Sequence, residues 1–165
     1  MIYDMVPENS AILKTKMERF DFSNPSIDPS ELARNLTETM LHYNGVGLAA
    51  NQCGLPYRIF VIKSNPVIAC FNPIIVATGD KQVLLEEGCL SYPGFYIKIK
   101  RPQAIKIRFT MPNGETVTNV YSGLTARCIM HEYDHLEGLS FKARATQYHR
   151  DKANKDYKLY LRRKK

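Results

Sequence analysis

Two histidines and a glutamate in the order His-Glu-x-x-His are the residues of this chain best suited to chemistry. They are His131, Glu132 and His135, and they lie in residues 122–138, SGLTARCIMHEYDHLEG. On a helix, the four-residue step puts both imidazoles on one face, about one turn apart, so their nitrogens can bind one divalent cation. Glu132 would then lie beside that cation, where a carboxylate can act as a general base.

The residues around this motif favour a helix. Ser122 can act as its N-cap and Gly138 as its C-terminal stop. Its interior offers apolar side chains for packing, namely Leu124, Cys128, Ile129 and Met130. The alternative interpretation is two histidines packed or solvated on an ordinary helix.

A catalytic metal site usually needs a third protein ligand and one position left for water. The downstream candidates are Glu137, His149, Asp151 and Asp156, and the last three lie in a basic tail. Upstream, Cys89 follows a predicted strand in residues 86–91 (EEGCLS), where Gly88 lets the backbone turn tightly. We therefore predict Cys89 as the third ligand, the alternative being a small buried apolar cysteine.

Length and composition predict one compact domain. The chain has 165 residues, of which 44% are hydrophobic, enough for a single core. No apolar run reaches the 18 or so residues of a membrane span, and the N-terminus resembles neither a signal nor a transit peptide. We therefore expect a cytoplasmic protein without membrane contact, in the host cytoplasm if it is encoded by a phage. Four cysteines without CxxC spacing make disulfides the exception there.

The net charge of +7 is unevenly distributed. Residues 142–165 contain ten Lys or Arg and two Asp, which leaves thirteen basic and fourteen acidic side chains in the rest. We assign residues 1–145 to the domain and residues 146–165 to its basic C-terminal helix or tail. Such a tail is usually a solvated face, but its asymmetry also suggests an anionic partner such as ribosomal RNA.

Local signals predict the other elements. Asp28 as N-cap, Pro29 at the first helical position and Glu31 in a capping box begin a helix that ends near Asn44 and Gly45. Seven short apolar or alternating runs read as strands: 58–62, 67–71, 73–77, 83–87, 96–100, 104–111 and 115–121. Because a Pro-Asn-Gly turn joins the last two, we expect an α+β fold with antiparallel strands packed around a central helix that carries the His-Glu-x-x-His motif.

Three segments together resemble the signature motifs of the peptide deformylase family. They are residues 45–52 (GVGLAANQ), 87–91 (EGCLS) and 131–135 (HEYDH), and they occur in the order of that family. The similarity extends over roughly residues 5–141. Each motif alone is only suggestive, whereas the combination is specific.

The resemblance implies a role for each motif residue. Cys89, His131 and His135 would hold the metal, Fe(II) natively with Zn, Ni or Co as alternatives, because this ligand set does not choose among them. Glu132 would be the general base. The Gln52 side-chain amide and the Leu90 backbone N–H would stabilise the oxyanion.

Substrate contacts follow from the same resemblance. Gly47 would let an extended peptide lie close to the backbone. Four apolar residues, each also an ordinary core position, would form a pocket for a methionine side chain: Val46, Leu85, Leu124 and Cys128.

Four further positions invite comparison with the family. Arg101 matches an arginine that pairs with the motif glutamate, here Glu87, although an inconsequential surface pair is the alternative. Asp134 could accept a hydrogen bond near the metal or face solvent. Met130 stands where most members have Gln, and Arg127 stands where bacterial members often have an apolar residue.

These observations predict a metal-dependent hydrolase that removes formate from the N-terminal formyl-methionine of nascent polypeptides. A general metallopeptidase or amidase is the rival enzyme, which the upstream cysteine disfavours. A non-catalytic RNA-binding module with a structural metal is the other rival, which Glu132 disfavours, since a structural site needs no base.

Overall fold

The computed structural model describes all 165 residues, which form an α+β fold with antiparallel sheets. The strands are β1 (Gly47–Ala49), β2 (Ile59–Ile62), β3 (Ile68–Thr78), β4 (Gln82–Cys89), β5 (Tyr92–Pro102), β6 (Ala104–Thr110) and β7 (Thr116–Ser122). The α-helices are α1 (Pro29–His42), α2 (Gly123–Leu136) and α3 (Gln147–Arg163), and the short 3-10 helices are Ala11–Lys14, Ala50–Cys53 and Phe141–Arg144.

The strands form two separate sheets. Five of them make an antiparallel sheet in the order β1-β2-β3-β6-β7, and β4 and β5 pair only with each other in a long hairpin. The predicted turn joins β6 to β7. The chain therefore has two separate sheets, and the candidate site contains residues that lie on, or on a helix packed against, each of them.

One strand differs from the prediction. The runs 67–71 and 73–77, expected as two strands, form the single strand β3, which pairs with β2 through its first half and with β6 through its second. Asn72, at positive φ, lies at the irregularity between the halves, where its side chain bonds both the backbone N–H and the carbonyl of Phe20. A bulge thus joins the two runs into one strand.

The helix ends follow from local chemistry. The Asp28 carboxylate accepts the backbone N–H of Glu31 at 3.0 Å, which caps α1 as predicted. Ser122 occupies the N-cap position of α2 but its side chain makes no capping bond there. Gly138, at φ 72°, follows the last turn of α2 in the left-handed conformation that ends helices.

Each helix covers a separate part of the core. α2 buries Ala126, Ile129 and Leu136 in a cluster with side chains of the five-stranded sheet, whereas α1 packs on the other cluster of that sheet. α3 packs on β5 through Ala153 and Tyr157. No helix of this structure has both the length and the apolar character that crossing a bilayer requires.

Candidate metal centre

Cys89 ends β4, and His131 and His135 lie in the last two turns of α2. Their ligand atoms all lie within 4.8 Å of one another, and the Cys89 Sγ is 3.2 Å from the His135 Nε2. Strand β4 and helix α2 therefore bring one sulfur and two imidazoles close together.

This arrangement fits a divalent metal ion. Bond lengths of about 2.3 Å to sulfur and about 2.0 Å to nitrogen, at tetrahedral angles, separate the ligand atoms by about 3.5 Å. The observed separations, from 3.2 Å to within 4.8 Å, bracket that value. Three such ligands leave a fourth coordination position for water or substrate, as catalytic sites do.

Glu87 orients the first histidine. The Nδ1–H of His131 donates to the Glu87 Oε1 at 2.9 Å, which leaves Nε2 for a metal. Arg101 donates to both carboxylate oxygens of Glu87, at 2.6 and 3.0 Å, and also to Asp134 at 3.0 Å. The pairing of Arg101 with Glu87 is as predicted, and it is buried. Asp134 is also buried and accepts hydrogen bonds, so the solvent-facing interpretation is wrong.

The charges around the site have displaced pKa values. Burial favours protonation of Glu87, but hydrogen bonds from His131 and Arg101 outweigh it and lower the Glu87 pKa to about 2. Burial disfavours charge on His131, yet its hydrogen bonds to Cys89 and Glu87 raise its pKa to about 10, so a metal that binds Nε2 would displace a proton from it. Burial lowers the pKa of His135 to about 3. The Glu87 carboxylate is therefore a permanent anion behind the histidines.

Glu132 is 4% exposed and lies next to β1. A Cβ on Gly47 would fall 2.7 Å from its Oε1, so only glycine leaves room for this carboxylate. Its Oε2 is buried without any hydrogen-bond partner, which is unusual for a carboxylate unless something else binds there. Burial raises the Glu132 pKa to about 7, whereas a cation beside the carboxylate would favour its ionised form, the form that a general base needs.

Gln52 lies in the 3-10 helix that follows β1. Its Oε1 accepts the Ala49 N–H at 2.9 Å, so its Nε2 is the donor end, directed at the Ser91 Oγ (3.0 Å) and the Cys89 Sγ (3.6 Å). The structure thus brings an amide donor to the edge of the metal centre. Leu90, the residue after Cys89, lines a cavity that opens beside the metal centre, whereas Gln52 does not line it.

A cavity of about 790 Å³ opens at these residues. His131, Glu132 and Cys89 line it, as do the predicted substrate residues Val46, Gly47, Leu124 and Cys128. Val46 and Leu124 are 61% and 71% exposed, so they lie at its mouth as free apolar surface. Leu85 is 40% exposed and does not line the cavity, so the structure does not bring it together with the other residues of the predicted pocket.

Two polar residues near the centre had no sequence signal strong enough to assign them a role. Arg127 is buried and binds Glu87. Asn51 is fully buried and donates its amide to the His135 carbonyl at 2.7 Å. Met130 is 6% exposed in the hydrophobic core. For Arg127, the one hint in the sequence was a charged residue in an otherwise apolar part of α2.

Comparisons with known proteins agree with this geometry. The family model described as Polypeptide deformylase matches residues 2–151. A peptide deformylase of Aquifex aeolicus is 33% identical over 172 residues, covering all of both chains. That of Thermotoga petrophila is 44% identical over 105 residues, which cover 63% of this chain and 64%, less than two thirds, of the relative.

Solved structures show the same fold. A peptide deformylase from Synechococcus elongatus in complex with actinonin superposes with a TM-score of 0.86 at 30% identity, over 94% of this chain and 85% of that one. A plant peptide deformylase superposes with a TM-score of 0.87 at 32% identity, over 98% and 90%. The chain therefore belongs to the peptide deformylase family.

Proposed function

We propose that this chain is a metal-dependent deformylase that hydrolyses the formyl amide of N-terminal formyl-methionine on nascent polypeptides and releases formate. The observation that carries the proposal is the convergence of Cys89, His131 and His135 beside a buried carboxylate with one unpartnered oxygen. Family membership supports the substrate class. Such a substrate places the enzyme in the cytoplasm, where nascent chains emerge.

The residues present fit a cation held by Cys89, His131 and His135. When bound, a divalent metal supplies Lewis acidity, which polarises the formyl carbonyl and makes water a nucleophile near neutral pH.

Glu132 takes a proton from the attacking water as the carbon–oxygen bond forms, and delivers it to the nitrogen as the carbon–nitrogen bond breaks. The products are formate and a free amine. The Gln52 Nε2 and the Leu90 backbone N–H would donate to the oxygen that becomes negative. The cavity beside Gly47 would hold the substrate as an extended peptide.

The decisive experiment measures formate release from formyl-Met-Ala-Ser together with the metal content of the protein. We expect turnover by the native chain, no detectable turnover by Glu132→Gln, and the same metal content in both. Cys89→Ala is expected to lose the metal. Cleavage of an internally quenched peptide instead of formate release would favour the general metallopeptidase, and metal binding without either activity would favour the structural module.

The native metal is proposed to be Fe(II), with Zn, Ni or Co able to occupy the same ligands. A thiolate beside Fe(II) is open to oxidation. Activity is therefore expected to decay in air and to persist in part after Co or Ni substitution. An iron-loaded sample that stays fully active for days in air would contradict this assignment.

We further propose that residues 1–145 are the catalytic domain, with α2 as its central helix, and that residues 146–165 are a basic tail that contacts ribosomal RNA near the nascent chain. The exposed positions that support this are Lys152, Lys155, Lys158, Arg162, Arg163, Lys164 and Lys165. α2 contacts strands β1, β2, β6 and β7, which supports its central place.

The ribosome contact is tested by removing residues from Thr146 onward and, separately, by Lys155→Glu with Lys158→Glu, which leaves the packing of α3 intact. Both variants should bind ribosomes more weakly, and the affinity of the native chain should fall steeply with salt. Unchanged, salt-independent affinity would remove this part of the proposal.

A further inference from the structure

Arg127 lies on α2 one turn before His131, and its guanidinium is buried against the β4–β5 hairpin. Its Nη1 donates to the Glu87 Oε2 at 2.7 Å and to the Ile99 carbonyl at 3.0 Å, and its Nη2 donates to the Val83 carbonyl at 2.6 Å. The side chain is 8% exposed. Arg127 of α2 thus bonds one side chain of the hairpin and the main chain of both hairpin strands.

This contact matters because the proposed metal ligands lie on two parts of the fold, the β4–β5 hairpin and α2. Cys89 belongs to the hairpin, which has no strand pairing with the five-stranded sheet, whereas α2 packs on that sheet. No backbone ladder therefore sets the distance from Cys89 to the histidines. Side-chain contacts set it instead, and they comprise the bridges between α2 and the hairpin and the packing of β5 on Phe141.

Two arginines cross this gap in opposite directions. Arg101 reaches from β5 to Asp134 on α2, and Arg127 reaches from α2 to the hairpin. Both also hold the Glu87 carboxylate, which in turn orients His131. Only Arg127 combines the carboxylate with main-chain carbonyls, and its planar fork of donors suits three fixed acceptors in a way that a point charge does not.

We propose that Arg127 is a positioning residue of the metal centre, which holds the hairpin carrying Cys89 against the helix carrying His131 and His135. The inference rests on the proposed function, since it takes these three residues as the ligands. It concerns how closely the thiolate and the imidazoles approach, and not the chemistry of the substrate.

The test compares Arg127→Met and Arg127→Lys with the native chain. Zn(II) affinity is measured by competition with a chromophoric chelator, and the thiolate-to-cobalt absorption band is recorded after Co(II) loading. We expect Arg127→Met to lose about 10- to 100-fold in affinity, the range typical when a residue that orients metal ligands is removed. Its thiolate-to-cobalt band should weaken as well.

Arg127→Lys separates bridging from charge. An ammonium keeps the charge beside Glu87 but cannot contact the carboxylate and both carbonyls at once. Its affinity and band are therefore expected to remain below those of the native chain, and full recovery would overturn the proposal. If Arg127→Met does not fold, Arg127→Lys still carries this test.

Arg58 provides a matched control, because it is also a buried arginine that donates to main-chain carbonyls, those of Met17, Leu136 and Pro73. Arg58→Met should lower the melting temperature but leave Zn(II) affinity and the cobalt band as they are. An equal loss of affinity in Arg58→Met and Arg127→Met would mean general destabilisation and would overturn the proposal.

Cys89→Ser distinguishes failure of this inference from failure of the metal centre itself. If Cys89→Ser binds Zn(II) as tightly as the native chain, the proposed ligand set is wrong. If Cys89→Ser loses the metal while Arg127→Met keeps native affinity, the ligand set stands and only the role of Arg127 is overturned.

Discussion

The Nδ1 atom of His131 lies 2.9 Å from the Oε1 of Glu87, and both side chains are buried. A carboxylate cannot donate, so it fixes the proton on Nδ1 and presents Nε2 to the cation site. The same carboxylate receives two guanidinium groups, from Arg101 and Arg127. Glu87 therefore both orients His131, a proposed metal ligand, and neutralises two buried arginines.

Glu87→Gln tests that relationship. It removes the anion and leaves the Arg127 charge buried without a carboxylate partner, which typically costs about 3–5 kcal/mol, whereas Arg101 keeps its ion pair with Asp134. Metal affinity should fall about 10- to 100-fold as the His131 ring loses its orientation. Urea unfolding and chelator competition measure the two effects. Glu86→Gln, on the exposed side of the same strand, is the control and should change neither quantity.

Gly47→Ala should disable the base without removing the metal. The new Cβ would lie 2.7 Å from the Glu132 Oε1 and 2.9 Å from its Cγ, so the carboxylate has to move. Because a general base contributes about 10²–10⁴-fold, kcat/KM should fall within that range while metal content is retained. Gly79→Ala, whose Cβ would meet only ordinary contacts from 3.5 Å outward, is the control. Native turnover in Gly47→Ala would contradict the assigned role of Glu132.

The cysteines should differ sharply in their reaction with iodoacetamide. Burial raises the Cys53 pKa to about 12 and that of Cys70 well above its ordinary value. A pKa of about 12 leaves only about one thiolate in 10⁴ at pH 8, and the thiolate is the reactive form. Peptide mapping should find both residues unlabelled in the folded chain, with labelling at Cys89 only after a chelator removes the metal. Fast labelling of Cys70 in the folded chain would contradict its buried position.

Asp28→Ala should reduce stability without affecting the site. Its carboxylate caps α1 through the Glu31 N–H, far along the chain from the ligands. Loss of such a cap costs about 1 kcal/mol of unfolding free energy, measurable as a lower urea midpoint at an unchanged slope. Asp80→Ala, an exposed turn residue, serves as the comparison, and equal effects of the two changes would refute the capping role.

Local patterns accounted for much of the architecture. The cap and apolar spacing of α1, the helix carrying His131 and His135, and the β6–β7 hairpin all occur as predicted. Each depends on residues within a few positions of one another, so backbone propensity and capping decide it. The family resemblance, confirmed by the comparisons, rests on the same kind of contiguous signal.

Contacts between residues far apart in the sequence were visible only in the folded structure. No short sequence pattern predicts that Arg127 binds Glu87, 40 positions away, or that Asn51 binds the His135 carbonyl, 84 positions away. Nor does one predict that residues 68–78 form one strand across a bulge. The sequence by itself determined which residue types are available for a metal and a base, because motif spacing is local. Tertiary structure alone decided that Arg127 joins Arg101 in neutralising Glu87 and that Arg101 also pairs with Asp134, because those contacts depend on how the hairpin and α2 come together in space.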